Sequence, residues 1–202
     1  MTGQPPTTYA DVLDRTKDLV ARLPRPPVVG LCGHGGSGKT TLARTLAADL
    51  GFGAEQVVKT DRLYAATDTR RAGLFELQDW PVVLDLLDRV RTEPPPQRLR
   101  YATRGYGGAE GVVDLPMPAV VILEGIRVIR PETLPLLDLA VWIDLDPERA
   151  GARAMARNVL QGDGQDELDL WDTKWMPEGH EYQRLVSPER LAHLVVAAAG
   201  RH

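Results

Sequence analysis

The sequence predicts an α/β protein: a parallel sheet with helices on both faces. Three observations lead there. Continuous apolar runs recur, Val28-Val29-Gly30-Leu31-Cys32, Ala119-Val120-Val121-Ile122-Leu123 and Leu139-Ala140-Val141-Trp142-Ile143, as suits parallel strands buried on both faces. Stretches of helical period alternate with them along the chain. The first run leads into Gly33-His34-Gly35-Gly36-Ser37-Gly38-Lys39-Thr40, the G-x-x-x-x-G-K-[ST] spacing of a Walker A phosphate-binding loop, with a helix beginning at Thr41-Leu42-Ala43. Glycines let such a loop turn successive backbone N–H groups inward, and a helix N-terminus adds its unpaired N–H groups and dipole. Gly33, His34, Gly35, Gly36, Ser37, Gly38, Lys39, Thr40 and Thr41 are therefore the expected nucleotide contacts. Lys39 is expected on the β- and γ-phosphates, Thr40 on Mg²⁺ and Thr41 on the α-phosphate.

The bounds agree. The chain has 202 residues, enough for one domain of this class. Its formal net charge of -4 argues against non-specific nucleic-acid binding, which needs a basic face. The lone Cys32 excludes an internal disulfide and reads as a small buried apolar residue. No apolar run approaches membrane-spanning length, and residues 1–8 carry no signal-peptide core, so the expected compartment is the cytoplasm with no membrane partner.

Taken in order, residues 1–24 hold an amphipathic helix, with Val12, Leu13, Leu19, Val20 and Leu23 on one side, closed by Pro24. The helix after the Walker A loop ends near Leu50, capped by Gly51. Val57-Val58-Lys59-Thr60-Asp61 reads as a short strand, which puts Asp61 at a carboxyl end, where open α/β sheets bind ligands. Residues 67–77 read as a polar loop or short helix at the rim. Asp79 is the expected N-cap of a helix from Trp80 to Arg91, with Pro81 in its first turn. Residues 98–108, rich in Arg, Tyr and Gly, fit a hairpin or irregular segment lining a pocket. Glu124 closes the third strand and Asp144 the fourth. Asp146 caps a helix carrying Arg149, Arg153 and Arg157, whose spacing by four aligns them in one stripe. Residues 161–166 are a turn-rich break, residues 171–182 begin as helix, and residues 192–199 read as a last strand.

These landmarks, in this order, resemble the uridine kinase and phosphoribulokinase family of P-loop kinases, from about Val28 to Val196. Asp61 with Tyr64 looks like the family's Asp-Asp-Phe-Tyr segment, Asp79-Trp80-Pro81 like its Phe-Asp-His-Pro, and Tyr101 like the Tyr of its Pro-x-Tyr-Asp. Glu124-Gly125-Ile126 and Asp144-x-Asp146 with the following arginines are similar to its acidic strand end and the start of its lid. The resemblance implies one P-loop kinase domain over 1–202, with five parallel strands beginning near Val28, Val57, Ala119, Leu139 and Leu194 in spatial order 2-3-1-4-5. It also implies a lid at about 147–181 and the cofactors ATP and Mg²⁺.

It further implies roles. Asp61 resembles the general base that takes the proton of the attacking hydroxyl. Glu124 resembles the acidic residue that holds Mg²⁺ with Thr40 and borders the substrate. Lys39, Arg153 and Arg157 would steady the transferring phosphoryl group. Asp79 and Tyr101 would hold the acceptor, with Tyr64 and Tyr106 beside it. The acceptor half departs from the family: Ala102 replaces Asp, Tyr106 stands where a base-contacting His is usual, Arg62 replaces a second Asp, and Ala192-His193 replaces Ala-Asp. Arg62, Arg70, Arg71, Arg100 and Arg104 leave room for an anionic acceptor. The expected partner is a small-molecule phosphoryl acceptor, nucleoside or nucleoside-like. Pantothenate, a sugar phosphate, or a regulatory ATPase without acceptor are the alternatives, and a homo-oligomer is compatible with all of them.

Overall fold

The computed structural model describes residues 7–65, 68 and 70–198. The reading of residues 1–6, of Thr67 and Thr69 in the rim loop and of Ala199 at the end of the last strand lies outside the described residues.

Helix α1, Tyr9–Arg22, opens with a capping box in which the Thr8 side chain accepts from the Asp11 N–H and the Asp11 carboxylate accepts from the Thr8 N–H. Strand β1, Val28–Cys32, is buried throughout and runs into the glycine-rich loop and α2, Lys39–Asp49. Strand β2, Val58–Lys59, gives way to a tight 3-10 turn, Thr60–Arg62, and then to α3, Trp80–Val90. A hairpin follows, β3, Arg98–Arg104, paired antiparallel with β4, Glu110–Pro116. Then come β5, Val121–Gly125, and β6, Leu139–Asp144. The remaining helices are α4, Pro147–Gln161; α5, Gln165–Leu170; α6, Met176–Val186; and α7, Pro188–Leu191. A wide helical turn, Trp171–Trp175, joins α5 to α6, and β7, Leu194–Ala197, ends the described chain.

The main sheet has five parallel strands, ordered β2-β5-β1-β6-β7. Written over all strands this differs from 2-3-1-4-5, because the two hairpin strands fall between β2 and β5 in the chain and form a sheet of their own. Parity along β1 makes two apolar layers. Val29 and Leu31 meet α1 and α2 residues on one face, among them Val12, Ala43 and Leu46. Val28 and Cys32 meet α3, β3 and α6 residues on the other, among them Val83, Leu99 and Tyr182. Cys32 is the buried small residue expected, 3.4 Å from the Tyr182 hydroxyl.

Three boundaries move. β2 is shorter than 57–61, since only Val58 and Lys59 pair with β5, and the buried Thr60 turns the chain so that Asp61 stands in the turn rather than in the strand. The last strand is shorter than 192–199: Ala192 follows α7, and the His193 N–H bonds to the Ala140 carbonyl before the ladder begins. Residues 165–186 are helical almost throughout, because Pro177 falls in the first turn of α6, where its missing N–H costs nothing.

An ionic clamp fixes the base of the sheet. Asp138, just before β6, receives a forked pair from Arg25 at 2.8 Å on each oxygen, Arg91 at 2.8 Å and the Val28 N–H at 2.8 Å. No helix among the described residues is long and apolar enough to cross a membrane.

Candidate active site

The loop 33–40 joins β1 to α2, so Lys39 and Thr40 are the first residues of a helix whose N–H groups face the loop. The Ser37 N–H bonds back to the His34 carbonyl at 3.0 Å, and the Lys39 ammonium, buried, donates to the same carbonyl at 2.9 Å. The Ser37 hydroxyl is buried without a partner. Gly36 has φ +84, and a Cβ there would run into the Ala150 carbonyl, so this position requires glycine both for its backbone and for the close approach of α4.

Glu124 has the parity of Ile122 on β5, so it faces the α2 side of the sheet. There its Oε1 accepts from the Thr40 hydroxyl at 3.0 Å. Its register partners are Leu31 on β1 and Lys59 on β2, which puts it at the carboxyl ends of three adjacent strands. Burial raises the Glu124 carboxyl above its ordinary value, and Asp61 pushes the same way; Lys39 and the Thr40 bond offset part of this. The Thr60–Arg62 turn packs its Thr60 side chain on Gly125 at the end of β5, and the exposed Asp61 in that turn exerts its charge on both Glu124 and Tyr64. Burial, then Asp61, raises the Tyr64 phenol far above its ordinary range.

The hydroxyl and carboxylate of Thr40 and Glu124 are hard oxygen donors of the kind Mg²⁺ takes together with phosphate oxygens. Among the described residues no group of three or more His, Cys, Asp or Glu could hold a metal by itself. The donors present therefore fit a metal that arrives with a nucleotide. The unpartnered Ser37 hydroxyl and the inward Lys39 ammonium fit the phosphates in the same way.

The acceptor-side residues divide. Tyr64 meets Tyr106 edge-on at 5.7 Å, and the Tyr106 hydroxyl donates to Glu167 of α5 at 3.1 Å. Asp79 uses Oδ1 to cap α3, accepting from the Val82 N–H at 3.2 Å. Tyr101 is buried in the apolar layer with α3, with the Arg62 charge close enough to act on its phenol. Arg104 pairs with Glu110 across the hairpin at 2.5 Å, and its carbonyl accepts the Tyr64 N–H. On α4, Arg153 is half-buried, whereas Arg157 is exposed and forks onto the Asn158 side chain at 3.0 and 3.3 Å.

A lid at about 147–181 is expected from the sequence, but the residues that cover the loop are not singled out there. A Cβ on Gly35 would lie 2.7 Å from the Trp171 ring, so this indole rests on the phosphate-binding loop. His34 Nε2 lies 3.0 Å from Gln183 Oε1. Burial, reinforced by the Lys39 charge, holds the His34 imidazole below its ordinary value. Arg70 reaches Glu167 at 2.8 Å, and Lys174 reaches the Ala72 carbonyl at 2.5 Å and Glu178 at 2.7 Å. Arg127, almost fully buried and with φ 65, joins Glu178 to the Leu74 carbonyl at 2.6 Å each. Its place directly after Glu124-Gly125-Ile126 was the one available signal.

No family model matches the chain. The uridine kinase of Limosilactobacillus reuteri is 27% identical to it over 192 residues, 88% of this chain and 86% of that protein. The uridine kinase of Latilactobacillus sakei is 25% identical over 191 residues, 88% of each. That of Deinococcus deserti is 29% identical over 150 residues, 68% of this chain and 70% of that one. Over most of its length the chain is similar to proteins named uridine kinase. Solved structures agree on the fold. A candidate fructose transport system kinase from Silicibacter sp. superposes with a TM-score of 0.72 at 21% identity, covering 94% of this chain and 98% of that one. A candidate uridine kinase from Bacillus stearothermophilus gives 0.58 at 15% identity, covering 92% and 99%. The five-strand parallel sheet is thus the fold that these two structures share, and the glycine-rich loop occupies its β1–α2 turn.

Proposed function

We propose that the chain transfers the γ-phosphate of ATP to a hydroxyl of a small metabolite, nucleoside or nucleoside-like. The observation that carries this reading is an exposed carboxylate, Asp61, set beside the Thr40–Glu124 pair at the end of the Walker A cleft. Mg·ATP, when bound, supplies the phosphoryl group and the metal's positive charge. The chain's own residues do the rest. The loop N–H groups and Lys39 would hold the phosphates, and Thr40 and Glu124 would hold the metal. Asp61 accepts the proton of the acceptor hydroxyl as its oxygen bonds to the γ-phosphorus and the bond to the bridging oxygen of ADP breaks. Arg153 and Arg157, carried by α4 over the loop, balance the charge on the transferring group once the lid at 147–181 has closed on substrates.

The test is Asp61→Asn, assayed by ADP release at two Mg²⁺ concentrations with and without acceptor. As general base, its loss lowers kcat by about two to four orders of magnitude with ATP affinity little changed. An undiminished kcat, or a loss restored by added Mg²⁺, refutes the assignment.

A further inference from the structure

Gln78 is a buried amide that the fold itself leaves unused. Its side chain is 2% exposed, and neither Nε2 nor Oε1 has a hydrogen-bond partner. A buried polar group in that state costs free energy comparable to a lost hydrogen bond, and an apolar side chain of the same shape would cost none. Such groups persist where a ligand uses them.

The backbone says which way Gln78 faces. Tyr64 and Gln78 are directly opposed in an antiparallel bridge. The Ala65 N–H to Leu77 carbonyl bond at 3.0 Å and the Asp79 N–H to Leu63 carbonyl bond at 2.7 Å bracket the pair. In such a pair both side chains stand on one face, about 5 Å apart at Cβ. Tyr64 on that face lies within the influence of Asp61 and Arg127 and touches Tyr106. The unused amide is therefore on the face of Tyr64, the phenol on which the charge of the proposed base acts. The groups stacked beyond Tyr64 are Tyr106 of the hairpin tip and then Trp175, 6.5 Å from Tyr106, in the turn between α5 and α6.

We propose that Gln78 is a specificity-determining residue for the phosphoryl acceptor: its amide gives one hydrogen bond and takes another from a neutral group presenting a donor beside an acceptor, as an imide edge or a vicinal diol does. This rests on the kinase reading above, since it places the acceptor hydroxyl at Asp61. The acceptor enters when the Tyr106–Trp175 stack lifts, and its polar edge then replaces the partners Gln78 lacks. A carboxamide is neutral, so the site selects on hydrogen-bond pattern at this point and not on charge.

The experiment compares wild type with Gln78→Met and Gln78→Leu. Thermal unfolding without ligands is measured first. Removing an unused buried amide raises Tm by about 2–4 °C; a fall in Tm for both variants means the amide serves the fold, and overturns the proposal. Steady-state kinetics then use uridine, 3-methyluridine and ribose as acceptors. The acceptor KM rises about tenfold or more, and the KM for ATP stays put. A penalty with uridine that disappears with 3-methyluridine identifies the imide edge as the group read. An equal penalty with all three identifies the diol. An acceptor KM unchanged for every compound overturns the proposal even if Tm rises. Wild-type protein that hydrolyses ATP but phosphorylates none of the three removes the uridine-like acceptor from the proposed function, and this inference with it.

Discussion

Glu124 offers the sharpest test of the site, because the same substitution is expected to help the fold and harm the chemistry. In Glu124→Gln the Thr40 hydroxyl keeps an oxygen acceptor at the position now 3.0 Å away, and the volume is unchanged. What disappears is a buried charge. The carboxyl lies above its ordinary value of 4.5 because burial outweighs the help of Lys39 and Thr40. The sign follows from linkage. Below the ordinary value the group is neutral in both folded and unfolded chains, so wild type and variant are equally stable. As pH rises past 4.5 the unfolded chain ionises freely while the folded one resists, and wild type loses stability until the raised folded value is passed. Each unit of displacement is worth about 1.4 kcal/mol. In a chain of this size that corresponds to a Tm difference of about 3–6 °C. The assay is differential scanning calorimetry of both proteins from pH 4 to 8, without nucleotide. The variant should melt together with wild type at the acid end and higher at the alkaline end, while its Mg·ATP-dependent turnover falls by about two orders of magnitude or more. A variant that melts lower at pH 8, or that keeps its turnover, refutes the reasoning that an uncompensated buried carboxylate is held there for a metal.

Lys39→Ala should lower phosphoryl transfer by about 10²–10³-fold, read as initial rate at saturating ATP; near-normal turnover and ATP affinity would remove the Walker A loop from the mechanism. Asp138→Asn should cost about 3 kcal/mol in urea unfolding at pH 7, since it leaves two arginines facing a neutral amide. Burial works against the Asp138 carboxylate, but its bonds from Arg25, the Val28 N–H and Arg91 prevail and hold its pKa below the ordinary value. That stability is present above the ordinary value and is lost as pH falls through the lowered one, so the gap between the two proteins should close in acid. Binding of Mg·ATP should lift Trp171 from Gly35 and change the intrinsic fluorescence, with no such change in Trp171→Phe. Hydrogen exchange across 147–181 should slow when nucleotide and acceptor are both present. A fluorescence change that survives in the Phe variant, or exchange unaffected by ligands, counts against a lid that moves.

The sequence by itself determined whatever depends on local pattern. β1, β5 and β6 were visible because strands buried on both faces are apolar at every position, and the Walker A loop was visible because its residues are contiguous and act through the backbone. Asp79 and Asp146 could be read as helix caps because a cap bonds only to a backbone N–H three residues on. Tertiary structure decided what depends on the path of the chain. Thr40 meets Glu124 across 84 residues because β5 lies beside β1 and side-chain parity aims Glu124 at α2. Tyr101 looked like a ligand contact and is packed in the apolar layer against α3, since strand alternation does not say which face of a hairpin will be covered. Trp171 and Gln78 gave no local signal, and the Arg127–Glu178 pair gave none beyond the place of Arg127 after Glu124-Gly125-Ile126. Each takes its meaning from a neighbour far along the chain, or from having none, and that is settled only when the helices from 147 to 186 pack down on the loop and on the turn after β2.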